Sequence, residues 1–474
     1  MNFISQSIGL YRKRLTSIAL SVGLLIPTSL LFHAHLVKSD PAAGTSISSS
    51  PKLLRLWFSE APELALTHVN LVTEKGDTIP LGNVVRDQTG PLAVVASIPG
   101  ILSPGAYHVL WRTAAADGHP THGQFTFTVI AGGAIQTAVP SPGRSITSQA
   151  TAPSAPTIST SSQAVATPFD ALSPMYIAIR WLSLAALVII IGIVAFRLFV
   201  LSTSKILAND AAISSMLHAR MAQLGLWTAA ILGAATLARL TAQSAILKET
   251  TVTVILLHTT WGVGWLVQAG ALILTLFGFV LARQQTMIQR TGWMLAVMGT
   301  LVLAFTPALS GHAIVAPKFT ALALLSDYGH VLGAGGWLGS LFVLIVVALP
   351  STLLLDSTVR GATIATLVNR FSRTALIFAA LTLVTGTASA WIHLGSVSAL
   401  WQTGYGRTLL VKLGALAFLI AAGAYNWLIM RPTLDRGDND GAVRLRRSAS
   451  LELLIGAVII AVTAVLIATP TPTW

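Results

Sequence analysis

YIAIRWLSLAALVIIIGIVAF, residues 176–196, decides the fold of this chain. It holds a single charged side chain, Arg180. An α-helix rises ~1.5 Å per residue, so a stretch of this length crosses the ~30 Å hydrocarbon core of a bilayer. Seven more apolar stretches follow, at about 221–245, 253–281, 292–309, 325–349, 372–394, 408–430 and 450–468. The third and fifth of the eight are long, which implies tilt or a helical extension. In lipid a spanning segment must satisfy its own backbone hydrogen bonds. The expectation for 171–474 is therefore a polytopic bundle of about eight helices.

Composition agrees. Of 474 residues, 54% are hydrophobic and 9% charged, against roughly 25% charged in an ordinary soluble domain. The net charge of +13 does not point to nucleic acid, because the basic residues punctuate apolar segments and act as topology signals. The partner they imply is the lipid bilayer. There is no cysteine, which excludes disulfides, thiolate metal sites and cysteine nucleophiles. Any metal must be held by His, carboxylate, Met or backbone groups.

Ahead of the spans the texture changes. Residues 1–32 join a basic Tyr11-Arg12-Lys13-Arg14 to an apolar run, as a signal peptide or an uncleaved N-terminal anchor does. Residues 33–130 hold short strand-like segments: 53–58, 68–72, 107–111 and 124–129. Pro and Gly lie among them, which predicts an antiparallel all-β sandwich. Residues 131–170, rich in Ala, Ser, Thr and Pro, read as a semi-extended linker. With the sandwich outside, the predicted inner loops carry thirteen basic residues, among them Arg197, Arg220, Arg283, Arg290 and Arg360. The outer loops and helix ends carry Arg180, Lys248, Lys318, Arg407 and Lys412. This positive-inside bias predicts a multi-pass membrane protein with its N-terminal domain extracytoplasmic.

Histidines carry the chemistry. The sandwich has His33-Ala34-His35 at its start and Asp117-Gly118-His119-Pro120-Thr121-His122 before its last strand. On extended backbone Asp117 and His119 point the same way, so a carboxylate and an imidazole can reach one ion, unless the segment is merely a turn. The first and last strands of a sandwich can approach closely enough for the start of the domain to add a third ligand. Such a set suits Cu(II) in square-planar or tetragonal geometry, and tetrahedral zinc accepts similar ligands.

The stretch from His33 to Gly44 resembles the mature start of the CopC-type periplasmic copper-binding proteins. Phe58-Ser59-Glu60, Pro104-Gly105-Ala106-Tyr107 with Trp111, and Asp117-Gly118-His119-Pro120 with Gly123 and Phe125 follow in that family's order. The resemblance implies a Greek-key sandwich binding Cu(II) through His33, Asp117 and His119. If the chain is cut after Ala34, His35 takes the first role; His122 is a candidate auxiliary ligand. There is no Met within 33–130, so a thioether Cu(I) site is not expected there. Ser310-Gly311-His312-Ala313, the run from His330 to Gly339, and the run from Trp401 to Lys412 resemble the CopD membrane family. So do Asn426 and the approach to Glu452. This implies copper handling in the bacterial inner membrane; the chain is not expected to be an enzyme unless the bundle has a redox activity.

In the predicted topology His258, His312, His330 and His393 fall at the outer level and are candidates for a metal-acceptance site under the sandwich. Arg239, Asp327, Lys412 and Glu452 are candidates for its pathway or for ion pairing. The Gly333-Ala334-Gly335-Gly336 run predicts close helix packing. Trp261, Trp265, Trp337, Trp391 and Trp401 read as an aromatic belt. No Walker-type loop occurs, so ATP does not drive transport in cis. The expected function is capture of Cu(II) outside and import through the bundle, with periplasmic copper carriers as candidate partners. The alternatives are a membrane redox protein, either with haem held by His258, His330 and His393 or as a copper reductase, and a copper buffer for which the bundle is only an anchor.

Overall fold

The structure is a computed structural model describing residues 35–88, 90–115, 118, 120–130, 173–202, 211–247, 250–284, 287–309, 320–430, 441–469 and 471–472. The expected leader 1–32 and linker 131–170, and the candidates His33, Asp117, His119 and His312, lie outside the described residues.

Nine strands form the first domain: β1 Leu36–Asp40, β2 Ser46–Ile47, β3 Leu53–Phe58, β4 His68–Thr73, β5 Thr78–Ile79, β6 Val85–Arg86, β7 Ala93–Ser97, β8 Gly105–Ala114 and β9 Pro120–Val129. One sheet runs β1-β3-β7-β6 and the other β2-β9-β8-β4-β5. All pairings are antiparallel except the two-residue β2–β9 contact, which is parallel. Strand β3 shows why the chain folds this way. Its burial alternates, so Leu54, Leu56 and Phe58 enter the core, as the period of two demands. Phe58 meets Trp111 edge to face at 5.2 Å, and Tyr107 stacks on Phe127 at 5.5 Å. With Leu71, Val94 and Val109 these rings give the domain a core of its own.

Eight helices among the described residues are long and apolar enough to cross a membrane: α1 Pro174–Leu201, α2 Ile213–Ile246, α3 Thr260–Arg283, α4 Gln289–Leu309, α5 Thr320–Thr352, α6 Val359–Leu394, α7 Gly404–Ile429 and α8 Arg446–Leu466. The long third stretch is two elements. Thr259 leaves helical geometry, ending a short helix Val252–His258 and capping α3. The long fifth stretch is one helix widened at Gly335–Gly339 and Leu344–Ala348.

Glycine sets the helix spacing. A Cβ on Gly192 of α1 would lie 2.0 Å from the carbonyl carbon of Gly339 in α5, and one on Gly339 would lie 2.0 Å from the Val188 carbonyl oxygen. The two central helices therefore touch backbone to backbone, the use that membrane helices make of small residues. Gly333 meets Thr382 and Gly336 meets Phe378, so the glycine run packs α5 on α6. The aromatic belt needs correction. Trp391 and Trp401 are exposed, whereas Trp337 is buried between helices and Trp261 is buried under the sandwich.

One local device occurs twice. Thr259 and Thr403 each accept from the amide three residues on, Gly262 and Gly406, both at 3.0 Å. Each glycine lets α3 or α7 rest on a preceding short helix, Val252–His258 or Ala399–Gln402. A Cβ there would fall 2.0 Å from the Ile255 carbonyl oxygen or 2.1 Å from that of Ala399. An aromatic residue, Trp261 or Tyr405, lies between cap and glycine in each copy.

Candidate metal pathway

The described part of the sandwich site is built on backbone. His35 donates its amide to Ser59 Oγ at 3.1 Å and accepts the Ser59 amide at 2.9 Å. Four residues on, the Glu63 amide donates to the Ala114 carbonyl at 2.8 Å, at the end of β8. The segment 59–63 thus ties the start of the domain to the β8–β9 loop that contains Asp117 and His119. Gly118 of that loop has φ +84°, a left-handed conformation for which glycine is suited. His35 is half-buried, and burial holds its imidazole below the ordinary pKa of 6.5. His122 stands on β9 at an exposed position, paired in register with Arg112.

This end of the sandwich rests on the bundle. Gln243 of α2 donates its side-chain amide to the Gly118 carbonyl. The Thr260 amide at the start of α3 donates to Glu63 Oε1 at 2.9 Å. Leu66 and Ala114 of the sandwich share an apolar cluster with Leu247, Ile255 and Trp261. A Cβ on Gly118 would meet the Gln243 amide nitrogen at 2.8 Å and the Trp261 ring at 3.1 Å, so the loop and the ring are in close contact.

Trp261 also lines a cavity of about 400 Å³ in this end of the bundle. Its apolar wall includes Leu187, Leu232, Leu303 and Leu409, and its polar groups include Arg180, Arg239, Gln268, Asp327, His330, Ser389, His393, Tyr405 and Lys412. The imidazoles are fixed by main chain. His330 Nδ1 lies 3.0 Å from the Thr382 carbonyl oxygen, and His393 Nδ1 lies 2.7 Å from that of Ser389. A carbonyl only accepts, so Nδ1 carries the hydrogen in both rings and Nε2 holds the free lone pair. That tautomer is the one in which an imidazole ligates a metal through Nε2. Ser389 also donates through Oγ to Asp327 Oδ1 at 2.8 Å. Arg180 donates to the Ala464 carbonyl at 2.8 Å and lies over the Tyr176 ring. Arg239 reaches Gln268 Oε1 at 3.5 Å, and Gln268 donates to Thr236 at 2.9 Å.

Of the four membrane histidines expected at one level, the cavity brings together His330 and His393. His258 ends its short helix at an exposed position outside the lining. Arg239, Asp327 and Lys412 line the cavity, while Glu452 lies apart, accepting from the Asn426 side-chain amide. Among the described residues no three His or carboxylate side chains converge on one point. The sequence reading missed Gln243, Glu63, Gln268 and Tyr405. Tyr405 and Gln268 had a signal, the repeated Thr-x-x-Gly; Gln243 and Glu63 had none.

The CopC domain family matches residues 36–130, the copper resistance protein D-like N-terminal domain matches 170–316, and copper resistance protein D matches 365–466. The chain belongs to the CopC/CopD copper-resistance family. Copper transport protein CutJ of Bacillus subtilis (strain 168) is 25% identical over 472 residues, spanning 97% of this chain and 78% of CutJ. Copper resistance protein C of Escherichia coli is 30% identical over 107 residues, 21% of this chain and 84% of that protein. The crystal structure of CopC from Methylosinus trichosporium OB3b aligns at 27% identity, covering 22% of this chain and 99% of that one, with a TM-score of 0.20. This CopC/CopD chain thus joins, in one polypeptide, a β domain of the CopC kind and a CopD-type multi-pass membrane bundle.

Proposed function

We propose that the sandwich captures Cu(II) outside the cell membrane and hands it to the bundle for import. His33 (or His35 after trimming), Asp117 and His119 are the ligands, with His122 as an auxiliary. One observation carries the reading: Gly118, the residue between Asp117 and His119, packs on Trp261, and Trp261 lines the cavity that holds His330 and His393. Trp261 thus touches both the loop that carries the proposed ligands and the cavity that holds two imidazoles of ligating tautomer. His312 and His258, at the same end in sequence, are candidates for steps beside this path.

Charge supports the orientation that import requires. Arg197, Arg283, Arg290, Arg360, Arg446 and Arg447 stand at the helix ends opposite the sandwich, with Arg220, Arg370 and Arg373 in the adjoining halves of α2 and α6, the side expected to face the cytoplasm. Total cell copper at matched external copper tests the reading. Cells with the intact chain should accumulate more copper than cells with His119→Ala or His330→Ala at equal expression. Equal or lower copper with the intact chain rejects import. The redox alternative rests on the same pair, His330 and His393 in one cavity. It requires a Soret band in protein purified from haem-replete cells, and a colourless preparation rejects it.

A further inference from the structure

The cavity is the wrong sign for a bare metal cation. Among its described lining residues stand three basic side chains, Arg180, Arg239 and Lys412, against one carboxylate, Asp327. The imidazoles add no compensating negative charge. Asp327 is already engaged, accepting from Ser389 and lying in electrostatic reach of Lys412. Arg180 is held by the Ala464 carbonyl and the Tyr176 ring, and Arg239 and Lys412 still outnumber Asp327; excess positive charge is costly in a buried site, and a copper ion arriving alone would add to it. Size points the same way. A water in liquid takes roughly 30 Å³, so a cavity of about 400 Å³ has room for far more than one ion. It falls in the range of small-molecule pockets, roughly 300–1,000 Å³, which are apolar with a few placed polar groups.

We propose that this cavity takes a small organic anion bearing carboxylate groups, and that copper meets His330 and His393 as an anionic carboxylate chelate, not as a free ion. The proposal names the substrate form for the pathway above and rests on that reading. Arg239 supplies a planar fork that matches a carboxylate two oxygens at a time, and Lys412 supplies a point charge. Gln268, between Arg239 and Thr236, orients that fork. The Nε2 lone pairs of His330 and His393 then serve the copper that the anion carries.

The test uses the full chain in phosphatidylcholine nanodiscs, with radiolabelled citrate as the probe and radiolabelled choline as a cationic control. Citrate should bind saturably and choline should not. Lys412→Gln and Arg239→Gln should each weaken citrate binding at least tenfold, while Lys412→Arg, which keeps the charge, should stay near the wild type. A folded wild-type chain that binds no citrate overturns the proposal. So does binding that is indifferent to Lys412→Gln in a variant whose thermal transition is unchanged, or choline binding equal to that of citrate. Uptake of radioactive copper into proteoliposomes, with and without His330→Gln, separates the two ideas. His330-dependent uptake without citrate binding overturns the anion site alone. Citrate binding with uptake indifferent to His330 overturns the pathway alone, and failure of both measurements overturns both.

Discussion

Gly386→Ala is a one-methyl test of whether the His330 tautomer matters. A Cβ at 386 would fall 2.9 Å from both Cε1 and Nδ1 of His330, closer than such contacts are found. The ring must swing, and the first thing it loses is the 3.0 Å bond from Nδ1–H to the Thr382 carbonyl. A neutral hydrogen bond of this kind contributes about 1 kcal/mol net. At 1.4 kcal/mol per factor of ten, the Nε2-ligating state drops about fivefold. Loss of an orienting partner elsewhere lowers metal affinity by roughly 10–100-fold, so fivefold is the conservative figure. Folding stability should hardly move, because alanine is better than glycine inside a helix by about 1 kcal/mol. The assay is copper uptake into proteoliposomes at equal protein incorporation, beside a thermal melt. Uptake reduced about fivefold with an unchanged melt is the expected result. Wild-type uptake would refute the claim that the fixed imidazole takes part, and a collapsed melt would show that Gly386 is there only for packing.

Other predictions concern the seam and the sandwich. Gly118→Ala places an L side chain at φ +84° and its Cβ 2.8 Å from the Gln243 amide nitrogen, so the sandwich should lift from the bundle. The chain has no cysteine, so a Leu247→Cys reporter in the buried seam should react with maleimide only in the Gly118→Ala background; equal labelling in both refutes the contact. Glu63→Ala removes the acceptor of the Thr260 amide. By the usual worth of a capping acceptor, about 1 kcal/mol, hydrogen exchange across 252–262 should rise about fivefold. Burial depresses the His35 imidazole, so below pH 6.5 the unfolded chain takes up the proton before the folded one does. The metal-free sandwich should therefore lose stability as pH falls from 6.5 toward 5, and His35→Gln should flatten that slope in thermal melts.

Much of this architecture was readable before any coordinates. The helices announce themselves because lipid permits no other spanning element, and Leu53–Phe58 announces itself by its alternation. The boundary at Thr259 was hidden because His258, Thr259 and Thr260 are too few to break the apolar run 253–281, and hydropathy registers no cap. His330 and His393 were visible as rare polar residues in apolar runs. That they share a cavity and His258 does not depends on which way each helix is rotated, which one strand of text does not encode. Trp337 misled for the same reason, since its neighbours on α1 and α6, rather than its depth, decide whether it meets lipid. The seam was least legible of all, because two of its bonds use a main-chain atom, the Gly118 carbonyl and the Thr260 amide.

The repeated Thr-x-x-Gly shelf has a consequence for division of labour. Two ledges built alike flank one chamber: the β domain covers Trp261, and Leu394, Ala399 and Leu466 pack its counterpart Tyr405. Nine residues beyond each capping threonine the chain faces the chamber, with Gln268 on the occupied side and Lys412 on the other. One cap-and-glycine device, used twice, thus leads to an amide on one wall and an ammonium on the other. Cargo arriving under the domain meets Arg239 at the threshold, beside Trp261 and bonded to Gln268, and Lys412 from the second ledge, so the chamber presents positive charge to an anion from both of its walls.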